Sequence, residues 1–310
     1  MNKLKYFIAF LLGTLALYTA NAYAYSPTAE KVVDNVYAII GPLGQRSKDN
    51  DGLNNNLGFI VTKTGVILID SGASKIAAQH LETAIRKVTS KPVKWVINTG
   101  SQDHRWLGNA YFASKGAETI ALQRTAKTQA QYAEQQLDSL KGFLGERLTG
   151  TKALPAQTKL AGDNVTIKRG GETLVLRYTD THYPGDSMIW LPEHKVVFTG
   201  DLVYVDRAFA VLPWSSVRHG QQAFHELEKI QPKYIVPGHG HVCDLATARK
   251  DTGDYYDFLV NTIGKAAQEM ESMEDVINRY SILPQFQHLK HFETLHRANM
   301  NRTFLEFESQ

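Results

Sequence analysis

Four short segments of this chain set histidine or aspartate just beyond an apolar, strand-like run. They are Gln102-Asp103-His104, Thr181-His182-Tyr183-Pro184-Gly185-Asp186, Thr199-Gly200-Asp201 and Pro237-Gly238-His239-Gly240. Imidazole nitrogen and carboxylate oxygen are ordinary zinc ligands, and three protein ligands plus water make a catalytic site. Strand ends on a rigid scaffold can bring such ligands together from distant parts of a chain. Glycine beside a ligand permits turns that a side chain would obstruct. Taken singly, each segment is ordinary turn chemistry; the information lies in their joint occurrence and order.

The elements that must hold these segments follow from apolar periodicity. Val32 to Ile40 reads as a strand, as do Leu57 to Val61 and Val66 to Ile69, with Lys63-Thr64-Gly65 turning between the last two. Ile76 to Val88 has apolar residues at helical spacing and is followed by Pro92. Val93 to Ile97 is a short apolar strand, and Asn98 to Gly108 a polar loop. Thr125 to Leu144 reads as an amphipathic helix, Val165 to Ile167 and Thr173 to Arg177 as alternating strands, and Met188 to Leu191 and Val196 to Thr199 as a strand pair. Arg218 to Ile230 is predicted helical and Tyr234 to Val236 a buried strand. Strand pairs interrupted by helices imply mixed sheets covered by helices. From Thr252 the chain turns helical, with Pro284 dividing it.

With 310 residues, 43% hydrophobic and 21% charged, the chain can bury a core without disulfides. A net charge of +3 with no basic stripe gives no footprint for nucleic acid. Lys3 and Lys5, the apolar run Phe7 to Ala20 and Ala22-Tyr23-Ala24 read as a signal peptide over residues 1–24, which implies a periplasmic or secreted protein with no integral membrane segment after cleavage. Oligomeric state is left open. The lone cysteine, Cys243, cannot form an internal disulfide and is expected to be a buried, inert thiol.

The ordered motifs resemble the metallo-β-lactamase superfamily from about Val32 to Cys243. The markers are Asn56-Leu57-Gly58, Ile69-Asp70-Ser71-Gly72, Val96-Ile97-Asn98-Thr99, Asp103-His104 with Gly108-Asn109, and the segments ending in Asp186, Asp201 and Gly240. The resemblance implies an α+β fold, an αβ/βα sandwich over residues 25–250, with a C-terminal helical extension over 251–310. It implies a metal site at one edge, between the sheets. The family motif T-H-x-H-x-D-H is matched here by Thr99-Gly100-Ser101-Gln102-Asp103-His104, read as one residue shorter and lacking both leading histidines. The family's second metal position is then matched by Asp103, His104 and His239, with Asp201 the bridging carboxylate, while the first retains only His182.

The resemblance therefore implies metal ligands among Asp103, His104, His182, Asp201 and His239, and catalytic roles for Asp103, Asp201 and His182. One zinc ion is expected, with iron or manganese accepting the same donors. Asp201 or Asp103 would orient the metal-bound water, and His182 would ligate or donate a hydrogen bond. Asp70 is read as orienting a ligand or as a strand-end cap. The expected activity is metal-dependent hydrolysis of an ester, thioester, amide or phosphoester, with a small-molecule substrate; the alternative is a non-catalytic periplasmic binder retaining the fold. An iron oxidoreductase is a third reading, weakened because the depleted position is the one that would hold iron. Asp186, His194, His219, His225 and His241 are expected to be peripheral, and His288, His291 and His296 to serve packing or the surface. Trp106, Tyr111, Tyr204, Phe209 and Trp214 are candidate rim aromatics.

Overall fold

The computed structural model describes residues 26–308. The proposed signal peptide lies outside the described residues. Twelve strands form two sheets, one of seven strands in the order β1-β2-β3-β4-β5-β6-β7 and one of five in the order β12-β11-β10-β9-β8. In the first, β1 (Ala29–Val33), β2 (Val36–Ile39), β3 (Leu57–Val61) and β4 (Val66–Ile69) are antiparallel neighbours; β5 (Val93–Ile97), β6 (Glu118–Leu122) and β7 (Thr158–Leu160) follow in parallel. In the second, β8 (Asn164–Arg169), β9 (Glu172–Tyr178), β10 (Ser187–Leu191) and β11 (Val196–Phe198) are antiparallel, and β12 (Tyr234–Val236) joins β11 in parallel.

The inner faces of the two sheets pack together through Ile60, Ile67, Ile97 and Ile120 from one side and Leu174, Ile189, Phe198 and Val236 from the other. The outer face of the first sheet is covered by α1 (Lys75–Arg86), which turns Ala77, Ala78, Leu81 and Ile85 inward. Ser74 caps α1 by accepting from the Ala77 amide at 3.1 Å. The outer face of the second sheet is covered by the later helix Val217–Ile230 and by the tail, through Phe224, Leu227, Tyr255, Leu259, Ile263 and Phe304. This is the αβ/βα sandwich with C-terminal helices. Strands such as β4 read as continuous apolar runs because both faces are buried.

Three local expectations are corrected. Val32 to Ile40 is a hairpin rather than one strand: β1 and β2 meet at Asp34-Asn35, where Asn35 takes a φ of 65° that asparagine tolerates better than most residues. The polar loop after β5 contains a single helical turn, α2 (Asp103–Trp106). The sheet also includes β6 and β7, too short and mixed in polarity to stand out. In the tail, Pro284 opens a short 3₁₀ turn between the helices Met273–Arg279 and Phe292–Glu308. No described helix is long and apolar enough to cross a membrane.

Candidate metal centre

Parallel pairing of β11 and β12 sets Phe198 beside Val236, so the loops leaving both strands emerge side by side. One carries Asp201 on the 3₁₀ turn Gly200–Leu202, the other His239. The His239 loop is fixed by the Asn56 side chain, whose Nδ2 donates to the Pro237 and Gly240 carbonyls at 2.9 and 2.6 Å. It is fixed again by the Val205 amide, which donates to the His239 carbonyl at 2.9 Å. From the other sheet, β5 leads into α2. Successive residues of a helical turn diverge by about 100°: Asp103 turns to Arg46, while His104 and Arg105 both reach Asp201.

His104, Asp201 and His239 are buried, and one ligand atom from each lies within 4.8 Å of the others. His104 Nε2 is 3.1 Å from Asp201 Oδ2 and His239 Nε2 is 3.3 Å from Asp201 Oδ1. The opposite nitrogens are engaged: His104 Nδ1 lies 3.2 Å from Asp103 Oδ1, and His239 Nδ1 lies 2.8 Å from the Asn54 carbonyl. With protons on both Nδ1 atoms, both Nε2 lone pairs face Asp201, the arrangement by which a metal-ligating imidazole is oriented. Two nitrogens and a carboxylate oxygen with fixed tautomers are a donor set suited to zinc. The residues present fit a metal.

Asp103 stands outside this trio. Its carboxylate pairs with Arg46 and accepts from the His104 amide at 2.7 Å. Burial works against its charge, but Arg46 and His104 prevail and lower its pKa to about 2. His182 also lies outside the trio. It lines the same cavity, its ring 5.7 Å from that of Tyr204, and burial drives its pKa down to about 4. Burial likewise lowers His239, to about 3. Both imidazoles are therefore neutral at physiological pH, as ligands must be.

Arg105 is the functional residue that sequence reasoning passed over. It is 1% exposed and clamped between two carboxylates: Nη2 donates to Asp201 Oδ1 at 2.5 Å and Nη1 to Asp70 Oδ2 at 3.1 Å. Burial opposes the charge on Asp201, but Arg105 and His104 hold its pKa well below the usual carboxylate range. Asp70 accepts from the Thr99 amide and hydroxyl at 2.7 and 2.6 Å, so it orients Arg105, which in turn orients Asp201. A signal was present: counted from Thr99 without a gap, the aspartate of T-H-x-H-x-D-H falls on His104 and its last histidine on Arg105.

The cavity beside the trio has a volume of about 250 Å³. His104, His182 and His239 line it together with Tyr204, Arg46 and Arg207. Tyr204 stacks on His239 with ring centres 4.7 Å apart. The tail contributes Leu295 to the wall. Larger hollows near Glu134 and Lys141, and near Lys48, Lys75 and Arg147, contain none of the trio. Asp186 accepts from the His182 and Tyr183 amides and shapes that loop. Of the other histidines, His194 pairs with Glu172, His219 faces Asp180, His225 faces Asp257, His241 pairs with Asp206 and His288 with Asp251. His291 reaches the Leu43 carbonyl and His296 sits between Tyr255 and Tyr280. Among the aromatics, Trp106 is core, Phe209 packs against the tail, Tyr111 bonds Glu82 and Trp214 sits edge-on to Tyr183. Cys243 is buried, and burial raises its thiol to about 12.

Residues 50–239 match the model of the metallo-beta-lactamase superfamily. The chain is 26% identical over 254 residues to the metallo-beta-lactamase IND-1 of Chryseobacterium indologenes, covering 78% of this chain and 95% of that protein. It is 27% identical over 203 residues to the 2,4-dinitroanisole O-demethylase subunit beta of Nocardioides sp. strain JS1661, covering 63% of this chain and 57% of that one. In fold it is similar to the metallo-beta-lactamase FIM-1 of Pseudomonas aeruginosa solved in its mono-zinc form, with a TM-score of 0.59, 16% identity and coverage of 75% and 95%.

Proposed function

The chain belongs to the metallo-β-lactamase superfamily, and from that premise we propose that it is an exported hydrolase whose centre holds one metal ion, zinc by default. The observation that carries this reading is the buried trio of His104, Asp201 and His239, with both imidazole tautomers set by partners on the far nitrogen. When bound, such an ion lowers the pKa of a coordinated water toward about 7 and polarises a carbonyl or phosphoryl oxygen.

The chain's own residues do the rest. Asp103 and the Asn54 carbonyl keep protons on Nδ1, so His104 and His239 present lone pairs inward. Arg105 keeps Asp201 ionised and turned toward both histidines. Tyr204, stacked on His239, excludes water from one side. His182 is neutral, hydrogen-bonded to Ala210, and retains a second ring nitrogen as ligand or acceptor. Arg207 is 7% exposed, and its Nε has no hydrogen-bond partner among the described residues; it gives the cavity a donor for a substrate oxygen. The substrate we propose is a small ester, thioester, amide or phosphoester, since a cavity of about 250 Å³ is below the range that takes drug-sized ligands.

The test is elemental analysis of protein purified without added metal, followed by turnover of p-nitrophenyl acetate, an acyl thioester and p-nitrophenyl phosphate by wild type and His239→Ala. One equivalent of metal and turnover lost together in His239→Ala support the proposal. Metal bound with no turnover of any of the three moves the reading to a binding protein. Unchanged metal in His239→Ala refutes the ligand assignment. Export is tested separately: the mature N-terminus in the native host is expected at Tyr25, and a mature chain retaining Met1 contradicts it.

A further inference from the structure

Three aliphatic side chains line the cavity beside the trio: Ala210, Leu212 and Leu295; its other lining residues are polar or aromatic. Ala210 and Leu212 share the loop that follows the Asp201 turn, whereas Leu295 comes from the helix Phe292–Glu308, far along the chain. All three are only partly buried. Leu295 packs on one side against the core cluster that contains Tyr255, Phe292 and Met300. Such a wall offers a substrate no hydrogen bond, so the group that rests on it must be apolar.

The wall is held rigidly. Asn299 lies one helical turn beyond Leu295, on the same side of the helix, and is 1% exposed. Its Oδ1 accepts from the Val211 amide at 2.7 Å and its Nδ2 donates to the Phe209 carbonyl at 2.8 Å. These two bonds bracket Ala210 and fix the residue before Leu212. Ahead of the helix, the Lys290 amide donates to the Asp206 carbonyl at 2.9 Å and the Lys290 carbonyl accepts from the Ala208 amide at 3.0 Å. Moving Leu295 off the wall would strand these groups without partners, which is unfavourable where they are buried. The His182 ring is hydrogen-bonded to the Ala210 backbone, so the same loop also ties the wall to the polar side of the cavity.

We propose that Leu295 sets the length of the substrate's acyl group: the cavity takes an ester or thioester of a short aliphatic acid, with its hydrocarbon chain against Ala210, Leu212 and Leu295. This rests on the hydrolase reading above. In the reaction, the oxygen of water bonds to the acyl carbon as the bond to the alcohol oxygen or thiol sulfur breaks; the carboxylic acid and the alcohol or thiol leave. The volume of about 250 Å³ and the fixed helix leave little room for a longer chain. One methylene more or less in an apolar pocket changes kcat/KM by about 10–200-fold.

The experiment measures kcat/KM for p-nitrophenyl acetate, butyrate and hexanoate with wild type, Leu295→Ala, Leu295→Phe and the control Leu305→Ala, which removes a leucine 47% exposed on the same helix. The ratio of two esters within one variant is independent of how much of that variant is active. Wild type is expected to prefer acetate to hexanoate by about 10-fold or more. Leu295→Ala is expected to raise the hexanoate-to-acetate ratio by about 10-fold, Leu295→Phe to lower the butyrate-to-acetate ratio by a similar factor, and Leu305→Ala to leave both as in wild type. Calorimetric titration with acetate, butyrate and hexanoate reads the same preference without turnover. If wild type hydrolyses none of the esters, the hydrolase reading fails, and tighter hexanoate binding by Leu295→Ala than by wild type still supports the wall as the length limit. Ratios that neither Leu295 variant shifts, or in the absence of turnover no gain in hexanoate binding by Leu295→Ala, overturn the proposal, as does an equal shift in Leu305→Ala.

Discussion

Gly238→Ala places one methyl group where the chain has no space for it. The added Cβ would lie 2.4 Å from the Gly200 carbonyl oxygen and 2.8 Å from both Arg105 Nη2 and Asp201 Oδ1. The first neighbour is backbone, and the other two are locked to each other at 2.5 Å. None can swing aside as the end of an exposed side chain would. Overpacking of this kind costs about 1–3 kcal/mol, rising toward about 3–5 kcal/mol if the buried ion pair is pulled apart. At roughly 2–4 °C per kcal/mol for a large domain, the lower range alone is a fall of about 2–12 °C in melting temperature. Displacing the group that orients Asp201 is also expected to weaken metal binding by about 10–100-fold. Gly142→Ala is the control: it lies on the helix Gln123–Leu144, exposed, with nothing within 4 Å of the added carbon. There the same change is expected to stabilise by about 0.5–1 kcal/mol. Thermal melts with elemental analysis after dialysis read both variants. Gly238→Ala that melts and retains metal like the wild type would refute the packed contact between Arg105, Asp201 and the His239 loop.

Three further outcomes follow from the geometry. Asp103→Asn weakens the partner of His104 Nδ1 and is expected to lower metal affinity by about 10–100-fold while the fold survives, read by metal-buffered titration; unchanged affinity would mean that Asp103 serves only Arg46. His182→Ala is expected to lower turnover more than metal content, because His182 lines the cavity but is not among the three clustered donors proposed as ligands; equal losses of both would make it a ligand. Cys243→Ala is expected to keep its metal and to flatten the alkaline limb of stability. The thiol's ordinary value is 9.0 and burial raises it to about 12, so across that window the native state holds a proton that the unfolded chain has lost. Stability present below pH 9 therefore declines as pH climbs toward 12, and the difference in melting temperature between wild type and Cys243→Ala over pH 8–11 measures it.

What could be read from the sequence was whatever one residue type and one short spacing can encode. Leu57 to Val61 and Val66 to Ile69 were legible because strands buried on both faces must be apolar at every position. Asp201 and His239 drew attention because each follows a buried strand beside a glycine, and parallel pairing of those strands does bring them together. The hairpin of β1 and β2 escaped notice because its reversal takes only Asp34 and Asn35, a two-residue polar break between apolar residues, with Asn35 in a left-handed conformation. The tail's role was hidden for another reason: Leu295 lies at the cavity wall on a helix held there by contacts between residues distant in sequence, among them Lys290 with Arg207 and Asn299 with Val211.

The α2 segment is the instructive case. Asp103 and His104 are adjacent, and matching both to a metal assumes that neighbours point the same way. On a strand they would alternate, and on a helical turn they diverge by about 100°. Because α2 is helical, its three consecutive polar residues point apart, and the one whose donor atom clusters with those of Asp201 and His239 is His104. Asp103 turns outward to Arg46 and steadies the imidazole, while Arg105 turns inward beneath Asp201. The gapless count from Thr99 agrees with this geometry, since it sets histidine where the family motif has aspartate and arginine where it has histidine. The two departures fall on adjacent residues of one helical turn. The same turn thus gives Asp201 both the buried guanidinium of Arg105 and the imidazole of His104 as neighbours.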